Sequence, residues 1–170
     1  RSPIGVRTKV EWCYLLGDFG VSLTGTQATI CKLPKKLGFS TITAQKLPFY
    51  TGNIEYDQEI ELEKESQVVV RASEYRGALI KVFVDGTETG IIAFSPYKLN
   101  IGKLKAGKLT ITYKLFGNRF NAFGALHNNV VGDKWVAPNI WYTTGDKWCY
   151  EYKLRDLGIL ASPVVSILED

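Results

Sequence analysis

The sequence predicts an all-β fold, a β-sandwich or jelly roll. Three observations predict the all-β class. Apolar residues recur with a period of two along most of the chain, turn residues interrupt that alternation at short intervals, and no segment carries apolar residues at helical spacing over ten or more positions. Short alternating segments of this kind, punctuated by glycine, pack as two facing sheets.

From the N-terminus, Trp12–Leu16, Val21–Leu23 and Thr26–Leu33 read as strands, separated by Gly17-Asp18-Phe19-Gly20 and by Gly25. In Gly52–Glu63, Ile54, Tyr56, Ile60 and Leu62 fall on one face, and Glu55, Asp57, Glu59, Glu61 and Glu63 on the other. That is a strand with one wet side. Gln67–Ser73 follows, with Val68, Val69 and Val70, and then Ala78–Val84, which runs into Asp85-Gly86. Asp-Gly between apolar runs marks a tight hairpin, so Thr89–Phe94 is expected to return beside it. Lys98–Ile101 and Leu109–Phe116 flank the polar turn Lys105–Lys108, and the second of these is rich in β-branched and aromatic residues. Lys147–Leu154 and Val164–Leu168 complete a set of eight or nine strands.

Residues 117–146 break the rhythm. They hold Asn118, Asn121, Asn128, Asn129, Asn139, Pro138 and two tryptophans with little alternation. A loop of about thirty residues is uncommon inside a compact domain and is usually functional or folded back as a lid.

Composition narrows the function classes. The chain has 170 residues, 45% of them hydrophobic, 12% aromatic and 22% charged, and it carries no methionine. It therefore reads as a piece trimmed or cut from something longer. At this size one sizeable core is expected, burying roughly 70% of the unfolded chain's surface. The formal charge of +4 is spread along the sequence, and its densest cluster is Lys32, Lys35 and Lys36. No nucleic-acid partner is expected from so diffuse a pattern. No apolar run reaches the 18 residues of a membrane-spanning helix, and no membrane partner is expected. Whether the parent is cytoplasmic or exported stays open.

Cys13, Cys31 and Cys149 lie far apart among apolar neighbours, and His127 is the single histidine. A zinc site needs about four such ligands at short spacing, so no metal site is expected. The thiols are expected to pack as small buried hydrophobes, with a Cys13–Cys31 disulfide left open for an exported protein. No cofactor is expected, and a structural calcium stays open.

Catalytic constellations are weak. The acids from Glu55 to Glu63 stand at about 7 Å intervals along one strand face, a spacing that a glycosidase carboxylate pair could use. Their regular, wet alternation offers no apolar pocket to hold one of them protonated. A solvated face paired with lysines such as Lys81 or Lys114 is the expectation. His127 reads as a hydrogen-bonded loop anchor, and the rival reading, a small self-standing hydrolase, would use it with Asp133 or Asp146.

The stronger candidate is a cluster of aromatic and amide side chains. Sugars present apolar C–H faces that stack on aromatic rings, and hydroxyls that need donors and acceptors. Trp135, Trp141 and Trp148 would supply stacking platforms, while Asn118, Arg119, Asn121 and His127 would bond hydroxyls or hold the long loop.

Three stretches, Leu47–Tyr56, Val82–Gly90 and Leu104–Ile111, taken in that order, resemble the galactose-binding-like jelly-roll domains attached to bacterial glycoside hydrolases, including the sugar-binding domain of family 2 enzymes. The resemblance covers about residues 47–116. Asn118–Asn128, followed by Trp135–Tyr152, is similar to the C-terminal region of large glycosidase-like proteins, some of them like α-L-rhamnosidases. In such proteins the catalytic carboxylates sit on a separate barrel and the sandwich is an accessory. The resemblance thus implies a noncatalytic, C-terminal accessory domain of a bacterial enzyme, with carbohydrate and the upstream catalytic domain of the same chain as partners. Residues 1–46 are expected to connect from an upstream domain and join the sandwich formed by 47–170. The alternative within the same parent is a purely structural module whose aromatic patch packs on the catalytic domain.

Overall fold

The computed structural model describes residues 13–129 and 140–168. β1 (Phe19–Thr24) and β2 (Gln27–Lys32) form an antiparallel hairpin with Thr24 opposite Gln27, and Gly25 takes φ +58° in the two-residue loop. A 3-10 turn at Ile42–Gln45 leads to β3 (Ile54–Leu62) and β4 (Ser66–Arg71). β5 (Tyr75–Arg76), β6 (Leu79–Val84), β7 (Thr87–Ile92), β8 (Lys98–Leu104) and β9 (Gly107–Phe116) follow. After the single helical turn α1 (Phe120–Phe123) the next strands among the described residues are β10 (Gly158–Ile159) and β11 (Val164–Leu168).

The strands assemble into an all-β sandwich. A four-stranded antiparallel sheet, in the order β3-β9-β6-β7, faces a three-stranded one, in the order β11-β4-β8. The alternation fixes which side of each strand turns inward. Ile54, Tyr56 and Leu62 of β3, Ile80 and Val82 of β6, and Ile111, Tyr113 and Leu115 of β9 meet Val68 and Val70 of β4 and Ile101 of β8 in one core. Asp85 and Gly86, at φ +46° and +80°, make the tight turn between β6 and β7. A two-residue hairpin whose residues both have positive φ matches the right-handed twist of its strands.

The core also takes in residues on either side of the main strands. Ile42 and Ile159 are fully buried and Leu157 nearly so, and the Ile42 N–H donates to the Leu157 carbonyl at 2.8 Å. Between these two anchors Gly158 stands at φ +130°, where an added Cβ would come within 2.7 Å of the Ser40 carbonyl oxygen. β10 pairs with β5, which ties this return segment to the sandwich.

Several expected elements differ. Cys13–Leu16 lies in no strand, and Trp12 falls outside the described residues. Apolar content suggested pairing there, but Leu15 and Leu16 are exposed and Tyr14 packs edge-on against Phe123 at 5.0 Å. Lys147–Leu154 alternates like a strand yet, among the described residues, makes only an isolated bridge, Asn128 opposite Trp148, because the register that pairs Asn129 with Lys147 and His127 with Cys149 is lost at Leu126, which bonds to Lys153. The return strand after Asp85-Gly86 starts two residues early and ends at Ile92, leaving Phe94 exposed in the turn before Pro96. The thiols are not buried: Cys13 is exposed, Cys31 and Cys149 are half-buried, and all three are free.

Candidate functional site

The irregular region after β9 is held by specific hydrogen bonds. The Asn118 side-chain oxygen accepts from the Phe120 N–H at 3.0 Å and starts α1. Asn121, within that turn, is buried, and its amide closes on the backbone of Arg155: Nδ2 donates to the Arg155 carbonyl at 2.7 Å and Oδ1 accepts from the Arg155 N–H at 2.9 Å. The Arg155 guanidinium lies over the Phe120 ring at 3.7 Å from its centroid. Both ends of the region are thereby fixed to each other.

Between these ends, residues 126–129 run against 147–153. The Asn129 N–H donates to the Lys147 carbonyl at 2.8 Å, Cys149 N–H to the His127 carbonyl at 2.9 Å, and Lys153 N–H to the Leu126 carbonyl at 2.6 Å. This pairing, with Tyr14 and α1 alongside, borders a half-open cavity of about 280 Å³. Trp141, Tyr142, Trp148 and Tyr152 give its aromatic walls, and Leu126, Ile140 and Phe123 its aliphatic and remaining ring surface. His127, Asn128 and Thr143 add polar side chains. The volume lies close to the lower bound of about 300 Å³ for small-molecule sites, and a mostly apolar wall with a few polar groups is their usual make-up.

His127 is held on several sides. Its Nδ1 is 3.1 Å from the Cys149 carbonyl oxygen, and a carbonyl only accepts, so Nδ1 carries a proton. The ring is tilted on Tyr152 at 4.7 Å and on Trp148 at 6.4 Å, and Trp148 meets Tyr150 edge-on at 4.3 Å. Tyr152 in turn contacts Phe49, just upstream of β3, at 5.4 Å, which seats the pocket against the sandwich. Lys147 places its ammonium 5.2 Å from the centre of the Tyr142 ring.

Of the residues singled out in the sequence, the structure brings Trp141, Trp148 and His127 together in the cavity wall. Asn118, Arg119 and Asn121 do not line it; Asn118 and Asn121 bond backbone, and Arg119 is exposed. Trp135 and Asp133 lie outside the described residues, and Asp146 is exposed and away from the lining. Tyr142, which the sequence places beside Trp141 in the same aromatic cluster, also lines the cavity, whereas Tyr14, Phe123 and Tyr152 were not anticipated, since they come from separate segments whose meeting depends on the Asn121–Arg155 closure.

No carboxylate belongs to the described lining. The acids of β3 are on the opposite, wet face, where Glu55 pairs with Lys114 at 2.9 Å and Asp57 accepts from the Thr112 hydroxyl at 2.7 Å. Lys81 pairs instead with Glu88, at 3.0 Å. Among the described residues no group of three His, Cys, Asp or Glu side chains could hold a metal ion.

No family model matches the chain, and no curated protein matches it. Among solved structures, a rhamnosidase from Novosphingobium sp. PP1Y is similar in fold, with a TM-score of 0.51 and 16% identity over 95% of this chain and 16% of that one. A GH2 beta-galacturonidase from Eisenbergiella tayi, bound to galacturonate, aligns with a TM-score of 0.39 and 18% identity over 64% of this chain and 19% of that one. The chain thus spans less than a fifth of the length of either enzyme.

Proposed function

We propose that this chain is an accessory β-sandwich of a larger bacterial glycoside hydrolase and that its aromatic pocket binds carbohydrate. The observation that carries this reading is the cavity in which Trp141, Tyr142, Trp148 and Tyr152 surround His127 and Asn128. Flat aromatic walls suit the C–H faces of a sugar ring, and the few polar groups suit its hydroxyls. The modular role is supported by a fold likeness to a rhamnosidase that takes in nearly all of this chain and only 16% of that one. The chemistry is then assigned to another domain, in keeping with a pocket whose described lining has no pair of carboxylates to act as acid and base.

A second reading has its own support. Leu15 and Leu16 are 77% and 92% exposed next to Tyr14, an apolar strip that an adjoining catalytic domain would cover. Titrating the chain with mono- and oligosaccharides while following tryptophan emission separates the two. A saturable change is expected for sugar binding, whereas silence across the panel favours the bracing role. Chromogenic glycosides should show no turnover with this chain alone, and turnover dependent on His127 would overturn the accessory reading.

A further inference from the structure

The carbohydrate reading leaves the class of sugar open, and the pocket's charges and its one histidine narrow it. None of the described lining residues is Asp, Glu, Lys or Arg. Of the described charged groups near it in sequence, Lys147 sits over the Tyr142 ring, and Lys153 lies 3.6 Å from Glu151. A carboxylate or ammonium placed inside would lose water to aromatic walls without a counter-charge in the described lining. A neutral ring meets no such cost.

The histidine supplies direction. With Nδ1–H donated to the Cys149 carbonyl, the neutral ring keeps its lone pair on Nε2. The ring cannot turn freely, because Tyr152 and Trp148 flank it and the backbone of His127 is itself bonded to Cys149. A cavity-lining histidine with Nδ1 already occupied offers an acceptor at a fixed place, and a sugar hydroxyl is the matching donor.

Building on the carbohydrate reading, we propose that the pocket selects a neutral sugar and that His127 Nε2 accepts a hydrogen bond from one of its hydroxyls.

The test uses the whole chain. Tryptophan emission is followed during titration with methyl glycosides of neutral hexoses and pentoses, and with the corresponding hexuronic acids and hexosamines. Neutral glycosides are expected to bind at least about tenfold more tightly, and charged sugars that bind as well or better would overturn the class. The variant His127→Asn keeps an N–H where Nδ1 donates to Cys149 and leaves nothing at the position of Nε2. It is expected to unfold at the wild-type temperature and to bind the best neutral glycoside about tenfold more weakly, the effect of one lost hydrogen bond. Unchanged affinity in a folded His127→Asn chain would overturn the role of His127 while the carbohydrate reading stands. Nitrogen-15 NMR of the imidazole should show the Nδ1–H tautomer, and an Nε2–H tautomer would likewise overturn that role alone. No response of the wild-type chain to any sugar would overturn the carbohydrate reading and this inference with it.

Discussion

The amide of Asn121 grips both backbone polar groups of Arg155, donating to the carbonyl at 2.7 Å and accepting from the N–H at 2.9 Å, across 34 residues of sequence. It is also, with Ser66, one of two buried polar side chains among the described residues, 3% exposed. Leaving either backbone group unsatisfied costs about 1–3 kcal/mol. Asn121→Ala should therefore lower the free energy of unfolding by about 2–3 kcal/mol in urea titration, and Asn121→Asp, which keeps the acceptor and loses the donor, by a comparable amount. A change under about 0.5 kcal/mol would mean that the closure does not hold the region.

Gly158 should be the least replaceable glycine of the return segment. At φ +130° a side chain is strained, and its Cβ would meet backbone at 2.7 Å rather than a flexible side chain. Gly158→Ala is expected to cost at least about 2 kcal/mol. Gly25→Ala, at φ +58° with nothing within 4 Å of its Cβ, should cost about 1 kcal/mol, the conformational penalty by itself. Thermal unfolding of the two variants side by side checks the order.

The two described pocket tryptophans should separate binding from stability. Trp141 is 39% exposed, so Trp141→Ala should weaken sugar binding by tenfold or more with little change in unfolding temperature. Trp148 is half-buried between His127 and Tyr150, so Trp148→Ala should lower stability by about 2 kcal/mol as well as binding. Calorimetry on both variants, with and without the best ligand, reads both effects.

Alkaline pH should destabilise the sandwich through Tyr113. Its phenol is fully buried and donates to Gln58 at 2.9 Å, and burial pushes its pKa far up; burial raises Tyr56 and Tyr75 as well. In the unfolded chain these phenols ionise near pH 10. The stabilisation is therefore complete below about pH 10 and is lost as pH rises towards the folded values, by up to about 1.4 kcal/mol per pH unit for each tyrosine. Tyr113→Phe should be less stable at pH 7, for want of the bond to Gln58, and should show a shallower decline above pH 10. Parallel declines in urea titrations at pH 9 to 11 would count against Tyr113 as the cause.

The sandwich was legible where a strand has one wet and one dry face. β3, β6 and β9 show that alternation, and Asp85-Gly86 named its own turn. β5 and β10 were not legible, because two residues cannot display a period and their pairing joins segments some eighty residues apart. Lys147–Leu154 misled for the opposite reason: it alternates, but its register against 126–129 slips between His127 and Leu126, so no ladder forms there. In the pocket, Trp141, Trp148 and His127 stood out by residue type. Asn121 resembled a sugar ligand by the same criterion, and only the long-range contact to Arg155 reveals what its amide bonds.

The acids of β3 matter for what the chain avoids. β3 is a rim strand of its sheet, and each outward position from Glu55 through Asp57 and Glu59 to Glu61 is acidic. A rim strand exposes free backbone donors and acceptors to a second copy, and a row of like charges keeps that copy away. Glu55 and Asp57 are engaged with Lys114 and Thr112, which leaves Glu59 and Glu61 as the principal guard. Replacing both with glutamine, in Glu59→Gln/Glu61→Gln, would lift that guard. The same strand then becomes a template for edge-to-edge growth, so the double variant should aggregate more readily than the wild type while its core is still folded.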